Sequence, residues 1–433
     1  MKELREVRKR LSGPEAAPYM GYARKLLGMM KLQMQFNHLD QLQWVKDLPE
    51  GVRVLVQSVF GQDEIQISVP VVKLKHPFGY QRKGYIPMQH DIIVGFSGNS
   101  FTNPTATMPV TACYWRNGSV TQLPLHPDYA TSMATAISKN GKVIVGAVGT
   151  NGAGFSYGGI LRGDMPALWN NFGEPETIGL LPGYSKGIAL DVSEDGTVVV
   201  GYCFSGSSDE AFIWNADGGI RSLGKLPGGS RSRAFAVSAD GSKIAGDSEF
   251  SGAFTWTNER GMQSLGVDGI GFSLSDDGAV LAGYYINDEG VDSAFRMEEN
   301  GNFSRMNPLV FNYDPAALAY GVSDDGAYSC GYSIADDIPN KYAVLWNAEG
   351  TPTALQFPEH GKQLANANAV LSNGISVGWS YGIDGIDFVR AMKWDAIGTY
   401  TVLPPLDGHA DAVARDIVIV TDDVQVFTES FNP

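Results

Sequence analysis

With 433 residues, 43% of them apolar and only 18% charged, the chain can bury a full core, which excludes a disordered polyampholyte. No stretch reaches the roughly 18 uninterrupted apolar residues of a spanning helix, and the charged start Met1–Arg10 has no apolar run behind it, so neither a membrane span nor an export signal is expected. Charge is divided: residues 1–90 carry 14 Lys/Arg against 8 Asp/Glu, and residues 91–433 carry 18 against 39, so a basic arm precedes a strongly acidic body.

The first segment has helical spacing. Leu4, Val7 and Leu11 fall on one face, and Ser12 with Glu15 three residues later resembles a capping box. Tyr19, Tyr22, Ala23, Leu26, Leu27, Met30 and Met34 continue the helical pattern, with Arg24, Lys25 and Lys31 on the remaining face. Such a helix either packs on its own domain or offers an adaptable methionine-bearing surface to a partner. The candidate docking residues are therefore Arg24, Lys25, Leu27, Met30, Lys31 and Met34. Val52–Val59 and Glu64–Val69 read as two strands that end at Pro70. Residues 1–72 are expected to form a small basic α+β docking domain, residues 73–90 a linker, and residues 91–433 a separate β domain.

One short theme then recurs. A glycine closes an apolar strand at Gly95, Gly146, Gly201, Gly246, Gly283, Gly331 and Gly378, at intervals of 51, 55, 45, 37, 48 and 47 residues. Repeats of this length built from short strands indicate a propeller or a solenoid. Before most of these glycines stands an Asx-Gly pair: Asn140-Gly141, Asp195-Gly196, Asp240-Gly241, Asp277-Gly278, Asp325-Gly326 and Asn373-Gly374. Such pairs accept the positive φ angles of a two-residue hairpin. Strands after the turn, such as Val143–Gly146 and Val198–Gly201, are apolar at consecutive positions, so both of their faces should be covered. A third strand ends at Trp115, Trp169, Trp214, Trp256, Met297, Trp346 or Trp394, and a fourth leads into pairs such as Leu123-Pro124 and Leu403-Pro404. Four strands per repeat match a propeller blade.

Closure of the ring is written into the two ends of this domain. The first repeat starts at Asp91 and lacks the strand that precedes the turn elsewhere, and residues 410–416 carry that strand's pattern without a repeat of their own. Ala410, Ala412 and Val413 are therefore expected to pair beside Ile92 and Ile93, removing two sheet edges. The expected fold is mainly β: a seven-bladed β-propeller of four-stranded blades, closed by a C-terminal strand, with the small N-terminal α+β domain appended.

Catalytic patterns are few. Gly154–Gly158 and Gly378–Gly382 match G-x-S-x-G, but neither precedes the helix that a nucleophile elbow requires. The S-x-D-G segments at Ser193, Ser238, Ser275 and Ser323 are accounted for as hairpin turns. His38, His76, His90, His126, His360 and His409 show no metal-ligand spacing, and Cys113, Cys203 and Cys330 are expected as buried free thiols. The acidic loops at Asp384–Asp387 and Asn287–Asp292 lack the calcium-loop pattern. No enzyme activity, cofactor or metal is expected.

The segments Val237–Gly241, Ala253–Trp256 and Leu223–Gly229 resemble the HAF-type repeats of bacterial and phage proteins, which implies a β-propeller over most of residues 91–405. The histidine expected before Ala-Phe is replaced by Glu210, Gly252 and Ser293. The overall plan, a basic arm, a linker and an acidic propeller, resembles the tail nozzle of short-tailed phages. That resemblance implies a structural virion protein made in a bacterial cytoplasm, a homo-oligomeric ring with other tail or head-to-tail connector proteins as partners, and DNA passing without specific binding. The alternative is a secreted or surface-exposed bacterial propeller that binds glycan or protein through aromatic turns near Tyr284, Tyr285, Trp379 and Tyr381.

Overall fold

A computed structural model of the chain describes residues 85–99, 109–150, 154–155, 161–249, 252–309, 316–334, 341–357, 364–381 and 388–425. The N-terminal helices and hairpin expected within residues 1–72 lie outside these. The chain divides into two units, His90–Val420 and Met1–Gln89 with Thr421–Pro433, and nearly all described residues belong to the first.

That unit is a β-propeller. Five four-stranded sheets are separate from one another. Lys186–Val192, Val198–Ser205, Ser208–Asn215 and Gly219–Gly224 form one of them, each strand antiparallel to the next. The remaining main strands, from Ala317–Val322 to Tyr400–Leu403, form a single eight-stranded sheet. The expectation of seven separate blades is corrected to this extent. Lys341 pairs in parallel with Leu364, and that one bridge fuses what the repeats present as two units. A short hairpin, Gly154–Phe155 with Leu161–Arg162, is inserted in the second repeat and accounts for the longest interval between repeat glycines.

The repeat glycines have a common cause. A Cβ on Gly95 would lie 2.0 Å from the Val413 carbonyl oxygen, and on Gly201 2.1 Å from that of Ile188. At Gly146, Gly246, Gly283, Gly331 and Gly378 the corresponding distance is 1.9 Å, to Met133, Arg233, Ile270, Leu318 and Asn366. Beside these glycines the first strand of the repeat bulges: the register slips between Ala134 and Ala136, Ala189 and Asp191, Ala234 and Ala236, Gly271 and Ser273, Ala319 and Gly321, and Ala367 and Ala369. The bulge presses the backbone of one strand onto its neighbour, and only a residue without Cβ fits beneath it.

The Asx-Gly turns differ from expectation. Ser138 N donates to Val143 O and Gly141 N to Ser138 O, so four residues, not two, separate the paired positions. Glycine alone takes positive φ, as at Gly141 (69°) and Gly196 (81°), while in five of the six turns the Asx side chain accepts from the serine two residues before it at 2.6–2.8 Å; the sixth, Asn373-Gly374, has Leu371 there and closes through Leu371 N to Ile375 O at 2.8 Å. The same serine hydroxyl accepts the N–H five residues on, as Val143 N to Ser138 Oγ at 2.9 Å, which closes the turn from inside. A two-residue hairpin with both residues at positive φ does occur, at Asn117-Gly118 between Val110–Arg116 and Ser119–Gln122.

Sheets are joined by apolar layers and by tryptophan. Val145 and Leu168 of one sheet pack with Val199, Cys203 and Phe212 of the next. Trp169 Nε1 donates to Pro124 O at 2.9 Å, Trp346 to Asn307 O at 2.6 Å, and Trp394 to Gln356 O at 2.6 Å, each reaching the segment that ends the preceding repeat. Trp115 makes the same bond to Pro404 O at 2.7 Å, so the first repeat grips the last as these three grip their predecessors.

Candidate functional site: the propeller axis

Asp411–Gln425 lies beside Tyr85–Gly98, at the place the first strand holds in other sheets. Ala410 N donates to Asn99 Oδ1 at 2.7 Å and to Gly98 O at 3.2 Å, and Ser97 Oγ donates to Asp411 O at 2.8 Å. Ala412 and Val413 have no exposed surface, and Ile92 and Ile93 are buried. The two isoleucines face opposite ways: Ile92 joins Ile144 and Trp169, whereas Ile93 joins Val377, Ala391 and Ala412. Strand alternation thus places the second and last repeats on either side of the first repeat's sheet.

The first strands of the sheets stand side by side around an axis. Polar side chains stitch them together. Asp416 Oδ2 accepts from Ile137 N at 2.9 Å, Asp191 Oδ2 from Val237 N at 2.8 Å, and Ser273 Oγ from Val322 N at 3.1 Å, each acceptor serving the next repeat. Thr135 Oγ1 donates to Ala189 O at 2.9 Å, and Asn368 Nδ2 to Ala414 O at 2.7 Å. At the turn end of the axis, Lys139 pairs with Asp276, at 2.7 Å, and with Asp324, both from repeats distant in sequence.

At each bulge one residue projects toward the axis: Thr135, Leu190, Phe235, Phe272, Tyr320 and Asn368, with Arg415 at the matching position of the closing strand. Phe235 meets Phe272 at 5.2 Å between ring centroids, and Phe272 meets Tyr320 at 4.8 Å, an unbroken aromatic row. Arg415 Nη1 donates to Asn368 Oδ1 at 3.4 Å. One half of the level is aromatic or aliphatic and the other half polar. Away from the turns, Arg233 forms a two-pronged pair with Asp247 at 2.9 and 3.0 Å, and Lys341 Nζ sits 4.3 Å from the centre of the Tyr332 ring.

Burial governs the titration of these groups. It pushes Asp191 up to about 7 despite two backbone donors, and the Asp416 charge adds to the rise while Lys139 opposes it. Burial likewise raises Asp416 and Tyr320, the latter to about 12, and lowers Arg415 and Lys341. For Asp191 the sign follows directly. An unfolded aspartate titrates near 4, so ionising this one costs more in the folded chain, and its contribution to stability is complete below pH ~4 and lost as pH rises through about 7. Asp191→Asn should flatten the fall in stability between pH ~4 and ~8 by up to ~4 kcal/mol, checked by urea unfolding across that range. An unchanged slope would remove Asp191 as its source.

Other sites expected from sequence fall as follows. The docking residues Arg24, Lys25, Leu27, Met30, Lys31 and Met34 lie outside the described residues. Ser380, in the second G-x-S-x-G segment, is 2% exposed within the strand Ser376–Tyr381, and no elbow forms there. Tyr284, Tyr285, Trp379 and Tyr381, expected in turns, all stand in strands. Cys113, Cys203 and Cys330 are free and buried, and burial pushes Cys203 up to about 11. Among the described residues no group of His, Cys, Asp or Glu could hold a metal, and no helix is long and apolar enough to cross a membrane. The axial residues went unnoticed in the sequence, yet they carry a signal: each is the variable position after the small residue of the Ala-x-x-Val-Ser strand.

No family model and no curated protein matches the chain. Solved structures do match it. TolB from Acinetobacter baumannii is 14% identical with a TM-score of 0.40, over 61% of this chain and 64% of that one, so the chain spans less than two thirds of its length. A dipeptidyl peptidase 4 from Porphyromonas gingivalis is 12% identical with a TM-score of 0.43, over 77% of this chain and 54% of that one. The β-propeller domain of Cps50 (Swd1) from Myceliophteria_thermophila is 12% identical with a TM-score of 0.43, over 70% and 97%.

Proposed function

We propose that the chain is a non-enzymatic structural protein of a bacteriophage tail, the nozzle or a related ring. We further count the eight-stranded sheet as two blades joined by one bridge, which gives seven, one for each repeat glycine. The observation that carries the functional reading is the charge division: a basic segment of 90 residues attached to an acidic propeller whose ends are sealed into one sheet. A rigid acidic body gives passing DNA nothing to hold, because phosphates bind by neutralising cations, and the basic segment is left to dock on another ring. The Lys139 pairs with Asp276 and Asp324 set side chains across the propeller's own axis, so DNA would pass between subunits and not through one. The glycan-binding alternative keeps the HAF resemblance as a motive but not the aromatic turns, since Tyr284, Tyr285, Trp379 and Tyr381 are strand residues.

Purified full-length protein should form a discrete homo-oligomer by light scattering, and mass spectrometry should find the chain in phage particles from its host. A protein that stays monomeric at tens of micromolar and is absent from particles overturns the assignment.

A further inference from the structure

The polar half of the axial level is under-satisfied. Arg415 Nε is buried without a hydrogen-bond partner among the described residues, and the guanidinium makes no ion pair there, only the long contact to Asn368 Oδ1. Asn366, 8% exposed, donates to the same Asn368 oxygen at 2.9 Å, while its own Oδ1 is also unpartnered. The guanidinium and the Asn366 amide therefore converge on one atom, each with polar capacity to spare. A buried guanidinium nitrogen without an acceptor and a buried acceptor without a donor are both costly, and a ligand carrying the complementary groups relieves both costs together.

On the same level runs the aromatic row of Phe235, Phe272 and Tyr320. Leu190, Phe235, Phe272, Tyr320 and Arg415 all keep partial exposure, although each projects toward the axis. The level thus offers a cationic fork, a neighbouring acceptor and an aromatic wall, which is the complement of a small molecule with an anionic head and a flat apolar body.

We propose that the propeller axis binds a small aromatic carboxylate. Arg415 takes the carboxylate, Asn366 Oδ1 accepts a hydrogen bond from a hydroxyl or amine next to it, and Phe235, Phe272 and Tyr320 receive the ring. This site does not depend on the tail assignment, since it is built wholly from residues facing the axis.

Phenyllactate, which combines the three features, is the probe. Calorimetric titration of the full-length protein at fixed ionic strength should give saturable one-to-one binding. Acetate, which lacks the ring, and 2-phenylethanol, which lacks the carboxylate, should each bind at least tenfold more weakly. Arg415→Met should weaken phenyllactate at least tenfold, and Arg415→Lys by less. Absence of saturable phenyllactate binding, or equal affinity in folded Arg415→Met, overturns the proposal. Should Arg415→Met not fold, Phe272→Ala decides: weaker phenyllactate with unchanged acetate supports the site, and unchanged phenyllactate overturns it.

Discussion

Truncation after Gly408 is expected to abolish cooperative folding of the propeller and leave an aggregating chain. The lost strand buries Val413 completely and leaves Ile417 and Val418 only 6% and 5% exposed. At about 1.5–3 kcal/mol for each such side chain, these three alone contribute roughly 5–9 kcal/mol, as much as the whole stability of many domains. Further losses follow. Val389 N loses its acceptor Asp411 Oδ1 at 2.6 Å, Asn368 loses Ala414 O at 2.7 Å, and Ile137 N loses Asp416. Truncation also uncovers the edge of Tyr85–Gly98, with its free backbone groups and apolar faces, a template for pairing with other chains. Circular dichroism melts and size-exclusion chromatography of the truncated protein test this, and adding the missing segment as a synthetic peptide should restore a soluble monodisperse species. A truncated chain that melts cooperatively within about 5 °C of the intact one would show that the last strand is no closure, since a loss of about 5 kcal/mol moves a domain of roughly 330 residues by about 7 °C.

What could be read from the sequence was whatever the repeats state many times over. The glycine at the end of each second strand, the Asx-Gly turn and the terminal tryptophan recur, so chance cannot account for them, and together they imply a stack of small sheets. The displaced strand at residues 410–416 was legible for the same reason, because a pattern was missing at one end of the domain and surplus at the other. Properties that depend on a single contact were not legible. One bridge between Lys341 and Leu364 merges two repeats into an eight-stranded sheet, and no periodicity announces it. The bulge beside each glycine was hidden because an extra residue in a strand looks like an ordinary position until its partner strand is known. That bulge turns Phe272, Tyr320 and Asn368 toward the axis, so the polar and aromatic character of the centre was invisible where each repeat was read alone. The Asx-Gly pair was misjudged for a related reason: the serine two residues before it extends the turn, and a dipeptide rule does not see that serine.

Gly201→Ala is expected to destabilise the protein by about 3 kcal/mol or more, and Gly201→Val to prevent folding, because forced overpacking of a tight core is costly. The new Cβ would lie 2.1 Å from Ile188 O and 2.9 Å from Ala189 Cα, and neither is the movable end of a side chain. Both belong to the bulged strand at the axis, which is held by Asp191 through Val192 N and Val237 N. Relief would therefore require separating Lys186–Val192 from Val198–Ser205 and disturbing the neighbouring repeat as well. Gly206 supplies the control. It takes φ of 59° in the turn before Ser208–Asn215, and nothing lies within 4 Å of its would-be Cβ. Gly206→Ala should therefore cost only the ~1 kcal/mol of a left-handed backbone. Urea unfolding of both alanine variants separates close approach from backbone strain as the reason for the repeat glycines. Equal losses at the two positions would mean that Gly201 is kept for its conformation, and the pressed-strand account of all seven would fail with it.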